Sequence, residues 1–127
     1  MDGAYTLEAR AYDAANNVKS TSIGVNVKNS AVADIIAPVV AITSPKDGTI
    51  ISRYTKTVNI AVASSDNVKV TRIELYINGY LAATSTSGSP NFTWYTQNLA
   101  KGTYRLQAYA YDAAGNIGSS YRITVYK

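Results

Sequence analysis

The chain has 127 residues, 46% of them hydrophobic and 16% charged, which suits one globular domain with a real core and is too short for two of ordinary size. It contains no Cys and no His, which excludes disulfides, thiolate catalysis, the Ser-His-Asp triad and nearly every transition-metal site. The net charge of +4 comes from 12 dispersed basic residues; without clustering or an aromatic-basic signature, nucleic-acid binding is not expected, and no apolar run reaches the ~20 residues of a membrane helix.

Met1 precedes Asp2-Gly3 rather than a basic stretch and an apolar core, so no signal peptide is expected in this fragment. Residues 2–21 align without gaps on residues 101–120, with 11 of 20 positions identical at an offset of 99 residues. After one slipped residue, Ile23-Gly24-Val25 matches Ile123-Thr124-Val125. An offset of that size is about one sandwich domain. Residues 1–28 are therefore expected to be the last hairpin of a preceding repeat, 29–37 a linker, and 38–127 one whole module.

Within 38–127, apolar residues alternate with period two. Val40 and Ile42 mark a first strand, closed by Ser44-Pro45 and Lys46-Asp47-Gly48, after which Ile51 returns to the core. Val58, Ile60 and Val62 mark a second strand, stopped at Ser65-Asp66-Asn67, and Ile73, Leu75 and Ile77 a third. Asn78-Gly79 is a hairpin turn signal, and Leu81 and Ala83 continue into a fourth strand. Phe92 and Trp94 form the inward face of a fifth, with small Ala residues expected opposite the indole. In the sixth, Leu106, Ala108 and Ala110 point one way and Tyr109 and Tyr111 the other. Asp112-Ala-Ala-Gly115-Asn116 then turns the chain into a last strand carrying Ile123 and Val125. About seven short strands at such spacing predict an all-β fold, an antiparallel β-sandwich preceded by a β-hairpin.

Several of these stretches also resemble a known family. Ala37-Pro38 through Pro45, Ser65-Asp-Asn-Val-Lys-Val70, Ile73 through Gly79, Phe92-Thr-Trp94, Gly102 through Leu106 and Ala110-Tyr-Asp-Ala-Ala-Gly-Asn116 are similar to the bacterial immunoglobulin-like (Ig-like) domains of secreted proteins. The resemblance covers 38–127, and 2–28 through the repeat. It implies an Ig-like sandwich serving as a non-catalytic, extracellular or cell-surface spacer beside neighbouring Ig-like repeats in adhesins or hydrolases. Asn16-Asn17 replaces the Gly-Asn of the turn in the first copy, and because Asn tolerates positive φ the turn should survive.

Two sets of residues are candidates for binding. Asp112 and Asn116, like Asp13 and Asn17, bracket a tight turn, and the simplest role of the acid is to accept hydrogen bonds from turn amides. In an Ig-like sandwich, however, the loop holding Asp66 and Asn67 lies at the same pole, where the linker with Asp34 also arrives. Asp34, Asp66, Asn67, Asp112 and Asn116 thus make a candidate calcium site; no other cofactor is expected. Tyr76, Tyr109 and Tyr111 should face outward. With the third and sixth strands adjacent, as in an Ig topology, they form an aromatic strip that Tyr121 extends, a candidate polysaccharide surface. The plainer role of these rings is to cover a half-exposed sheet, one of them as a corner tyrosine bonded to backbone. Converging carboxylates for glycoside hydrolysis are not expected, and the chain is read as no enzyme.

The surplus hairpin should expose Leu7, Ala9 and Ala11 with Val25 and Val27 on one face. An isolated two-stranded hairpin is marginal in water. Residues 1–28 are therefore expected to fray, or to order by edge pairing or domain swapping with another copy, whose 101–127 they imitate.

Overall fold

The period-two stretches all become strands, and the described residues contain no helix. A computed structural model describes residues 1–30 and 32–127. The chain divides into two units, Met1–Ala33 and Asp34–Lys127.

The first unit is an antiparallel hairpin of β1 (Gly3–Tyr12) and β2 (Val18–Val27), with an unbroken register from Gly3↔Val27 to Tyr12↔Val18. Its turn is built by Asp13, whose carboxylate accepts the amides of Ala15 and Asn17 at 2.9 Å each and Asn17 Nδ2 at 2.8 Å. Asn16 supplies the positive φ, 65°, that Gly115 supplies at 93° in the second copy, so the Gly-to-Asn exchange is accommodated.

The second unit is a sandwich of two antiparallel sheets. One orders β3 (Val39–Ser44), β4 (Thr57–Ser65) and β7 (Asn91–Tyr95) side by side. The other contains β5 (Val70–Ile77), β6 (Tyr80–Ser85), β8 (Thr103–Asp112), β9 (Ile117–Ser119) and β10 (Ile123–Tyr126). Its order is β10-β8-β5-β6, with β9 also on β8. The Asn78-Gly79 signal makes the β5–β6 turn, both residues taking positive φ at 52° and 83°. Between the sheets, Ile60, Ile73, Leu106 and Val125 are fully buried, each worth roughly 1.5–3 kcal/mol of apolar burial. After Pro45 the chain crosses to the other sheet, where Ile51 N–H donates to Tyr126 O at 2.7 Å and Ile51 turns into the core.

Three local readings of the sequence are corrected by the structure. The last strand of the sandwich is two, β9 and β10, because Ser120-Tyr121-Arg122 holds one residue more than the matching stretch of the hairpin. Tyr109↔Ser119 and Leu106↔Ile123 are therefore one register apart, a β-bulge. The buried Ser120 hydroxyl heals it, accepting Ala108 N–H at 2.9 Å and donating to Tyr121 O at 2.8 Å. Leu81, in the expected fourth strand, is 53% exposed. The β5–β6 register shifts between Leu75 and Tyr76, and one extra residue reverses the facing of everything beyond it. Trp94 does not lie against alanines alone: it packs edge-on against Tyr104, ring centroids 5.4 Å apart. The tyrosine bonded to nearby backbone is not one of the outward strip but Tyr104, near the start of β8, whose hydroxyl donates to Ala100 O at 2.9 Å. Tyr5 repeats that bond in the hairpin, donating to Met1 O at 3.1 Å.

Candidate functional site

At one pole of the sandwich three loops converge. Asp34, Asp66 and Asp112 each place a carboxylate oxygen within 4.8 Å of the other two, the one such acidic group among the described residues. Asp112 ends β8 and is 5% exposed. It holds its turn as Asp13 does, accepting Asn116 N–H at 2.8 Å and Asn116 Nδ2 at 2.6 Å. Burial pushes its pKa up, but the hydrogen bonds from the Asn116 side chain and the Asn116, Gly115 and Ala114 amides outweigh burial and hold it below the usual range. The carboxylate is ionised at neutral pH. Asp66 Oδ2 caps its own loop through the amides of Val68 and Lys69 at 3.0 and 2.9 Å. Its Oδ1 is buried without a hydrogen-bond partner.

Asn67 and Asn116 meet these acids, but with their amide nitrogens forward. Asn67 Nδ2 donates to Asp34 Oδ1 at 3.0 Å, and Asn116 Nδ2 donates to Asp34 O at 3.1 Å as well as to Asp112. The two NH2 groups thus stand on the side from which a cation would neutralise the acids, and neither offers the amide oxygen expected of a ligand. An amide flip, which exchanges O and N within almost the same volume, would turn Asn116 Oδ1 inward.

The outward face of β5 and β8 carries the tyrosines. Tyr76 and Tyr109 meet edge to face at 5.4 Å, and Arg72 lies 4.1 Å over the Tyr111 ring. Glu74 organises the group: it accepts Tyr76 and Tyr111 hydroxyls at 3.2 and 2.8 Å and pairs with Arg72 at 3.1 Å. For Tyr76, desolvation first and then the Glu74 bond raise the phenol pKa; for Tyr111, the Glu74 bond leads and desolvation follows. Both hydroxyls stay protonated donors. Beside them lies an open concavity of about 640 Å³ whose wall includes Tyr76, Tyr109, Tyr111, Gln107, Arg105 and Arg122. Tyr121 sits in the β9–β10 bulge, 95% exposed, and its neighbour Arg122, which the sequence reading passed over, lines the concavity instead.

The bacterial Ig domain family matches residues 38–108. Chitinase A1 of Niallia circulans is 34% identical over 120 residues, covering 91% of this chain but only 16% of that enzyme. Among solved structures, the fibronectin(III)-like modules of Clostridium thermocellum CbhA superpose with a TM-score of 0.62 at 25% identity, covering 69% of this chain and 93% of theirs. The endo-beta-1,4-mannanase of Thermotoga petrophila shares the fold over 73% of this chain and 20% of its own, with a TM-score of 0.57 at 17% identity.

Proposed function

That this chain belongs to the bacterial Ig domain family is the premise from which we propose that it is a non-catalytic spacer module of a longer secreted polysaccharide hydrolase. The observation that carries this is the size of the matches. The chitinase resembles this chain over a sixth of its length, whereas the fibronectin(III)-like module matches over 93% of its own. The likeness thus falls on an accessory part. The residues agree in part: with no His or Cys, neither a Ser-His nor a Cys-His nucleophile–base constellation can be assembled. In this reading the hairpin of β1 and β2 is the closing hairpin of the preceding repeat, since its turn, its corner tyrosine and its Leu–Ile register repeat those of β8 to β10. Purified chain incubated with chitin, cellulose or mannan should release no reducing ends over the buffer blank. Steady release that scales with protein would overturn the reading.

The buried, unpartnered Asp66 Oδ1 favours a second element of function. We infer that the pole formed by Asp34, Asp66 and Asp112 takes a calcium ion, which prefers carboxylate and carbonyl oxygens and would tie the incoming segment at Asp34 to the two loops. Calcium at a hundredfold excess over its Kd would add about 2.7 kcal/mol, several degrees in Tm for a domain of this size. Thermal unfolding in calcium and in EDTA is expected to show that difference, and Asp66→Asn to abolish it. Superposed melting curves, with no heat on calorimetric titration, would remove the ion.

A further inference from the structure

Of the features outside the acidic pole, the concavity beside the tyrosines carries a ligand chemistry of its own. Its cations are unopposed. Among the described residues the salt bridges are Arg10–Glu8 and Arg72–Glu74; Arg105 and Arg122, both on the concavity wall and both exposed, have no acid within pairing distance. The carboxylate of that face, Glu74, is engaged by Arg72 at Oε1 and by two tyrosine hydroxyls at Oε2. Its charge is compensated by Arg72.

The two side-chain amides of the wall are each half engaged. Asn78 Oδ1 is occupied by Arg105 N–H at 2.8 Å, leaving its Nδ2 free to donate. Gln107 Nε2 is tied to Ser120 O at 3.2 Å, so its Oε1 is the side-chain amide acceptor left on the wall. A neutral sugar would leave both guanidinium charges unpaired. A ligand with carboxylates would not. The rings, meanwhile, are held rigid: Tyr76 and Tyr111 by Glu74, and Tyr109 by its edge contact with Tyr76. Fixed aromatic faces offer apolar area at little entropic penalty. From Thr103 to Tyr111 the outward positions of β8 run about 27 Å at ~3.4 Å per residue, the span of an oligomer rather than of one sugar.

We propose that this face binds an acidic polysaccharide, with Arg105 and Arg122 pairing with uronate carboxylates and Tyr109 covering the apolar face of a sugar ring. Guanidinium suits this role because its planar fork donates two parallel hydrogen bonds to a carboxylate and keeps its charge at any physiological pH. The assignment stands apart from the spacer reading, since a spacer without this site would still separate its neighbours.

The test is calorimetric titration of the full chain with polygalacturonate and with its fully methyl-esterified form, alongside dextran sulfate. Polygalacturonate should bind, more weakly as salt is raised, and the ester should bind at least about tenfold more weakly, because a neutral ester forfeits the charged pairing. Arg105→Gln with Arg122→Gln should weaken polygalacturonate by about tenfold or more, and Tyr109→Ala should weaken it too, with unfolding temperatures near that of the parent chain. Equal binding of acid and ester, or binding of neither, overturns the proposal. Dextran sulfate binding as tightly as polygalacturonate, with Tyr109→Ala without effect, would show plain ion exchange and overturn it as well.

Discussion

Gly118→Ala is expected to destabilise the sandwich by about 3 kcal/mol or more, at the upper end of what overpacking does. A Cβ built on Gly118 falls 1.8 Å from Pro38 O and 2.8 Å from its carbonyl carbon. The obstacle is backbone, at the entry to β3, and both residues are buried. Relief would require the start of β3 to lift from β9, which opens one end of the sandwich. At roughly 4–8 °C per kcal/mol for a domain of this size, Tm should fall by well over ten degrees. Gly24→Ala is the control: it lies on β2 of the hairpin, and nothing stands within 4 Å of its added Cβ. A Gly118→Ala protein melting within a degree or two of the parent would show that the Pro38 segment is not held where the structure has it. The same contact bears on domain swapping. The residue matching Gly118 in the repeat is Lys19, so the hairpin cannot take over the β8–β9 position in this sandwich unless Pro38 moves.

Leu106→Ala should be nearly as damaging, in the range of about 2–5 kcal/mol for a leucine removed from a close-packed core. Leu106 is fully buried between the sheets. Its repeat counterpart Leu7 has the same strand position and the same isoleucine partner, Ile23 in place of Ile123, yet is 56% exposed. Leu7→Ala is therefore expected to change stability by under about 1 kcal/mol. Denaturant unfolding of the two variants makes a comparison in which local sequence is nearly constant and burial is not. Should Leu7→Ala prove as costly as Leu106→Ala, the apolar face of the hairpin is covered in solution. Light scattering of the full chain and of residues 30–127 would then show whether a second copy covers it.

Much of this organisation was legible in the chain because it is local. Asp13 and Asp112 hold the same five-residue turn, through the same carboxylate and asparagine contacts, whether the strands around them are exposed or buried. Asn78-Gly79 turns β5 into β6 because those two residues tolerate positive φ. The exposure of Leu81 was not legible, because one extra residue between strands inverts facing without altering the apparent alternation. Tyr104 was missed because the signal of a corner tyrosine lies four residues upstream, in a carbonyl any residue could supply. Tyr5, at the matching repeat position, was the clue available.

The sequence by itself determined which stretches are strands, where the chain turns, and that the hairpin repeats the end of the module, since side-chain alternation, Asx chemistry and self-similarity need no partner. Tertiary structure alone decided what meets across the fold. Asp34 and Asp112 are 78 residues apart in the chain, yet bring carboxylate oxygens within 4.8 Å of each other and of Asp66. Arg105 and Arg122 come to one wall through the β8–β10 pairing and its bulge. Gly118 meets Pro38 because the first strand's entry lies on the edge of the opposite sheet. Such contacts depend on register and on how two sheets are laid together, and a single residue's shift in either would leave the strand pattern unchanged while dispersing every one of them.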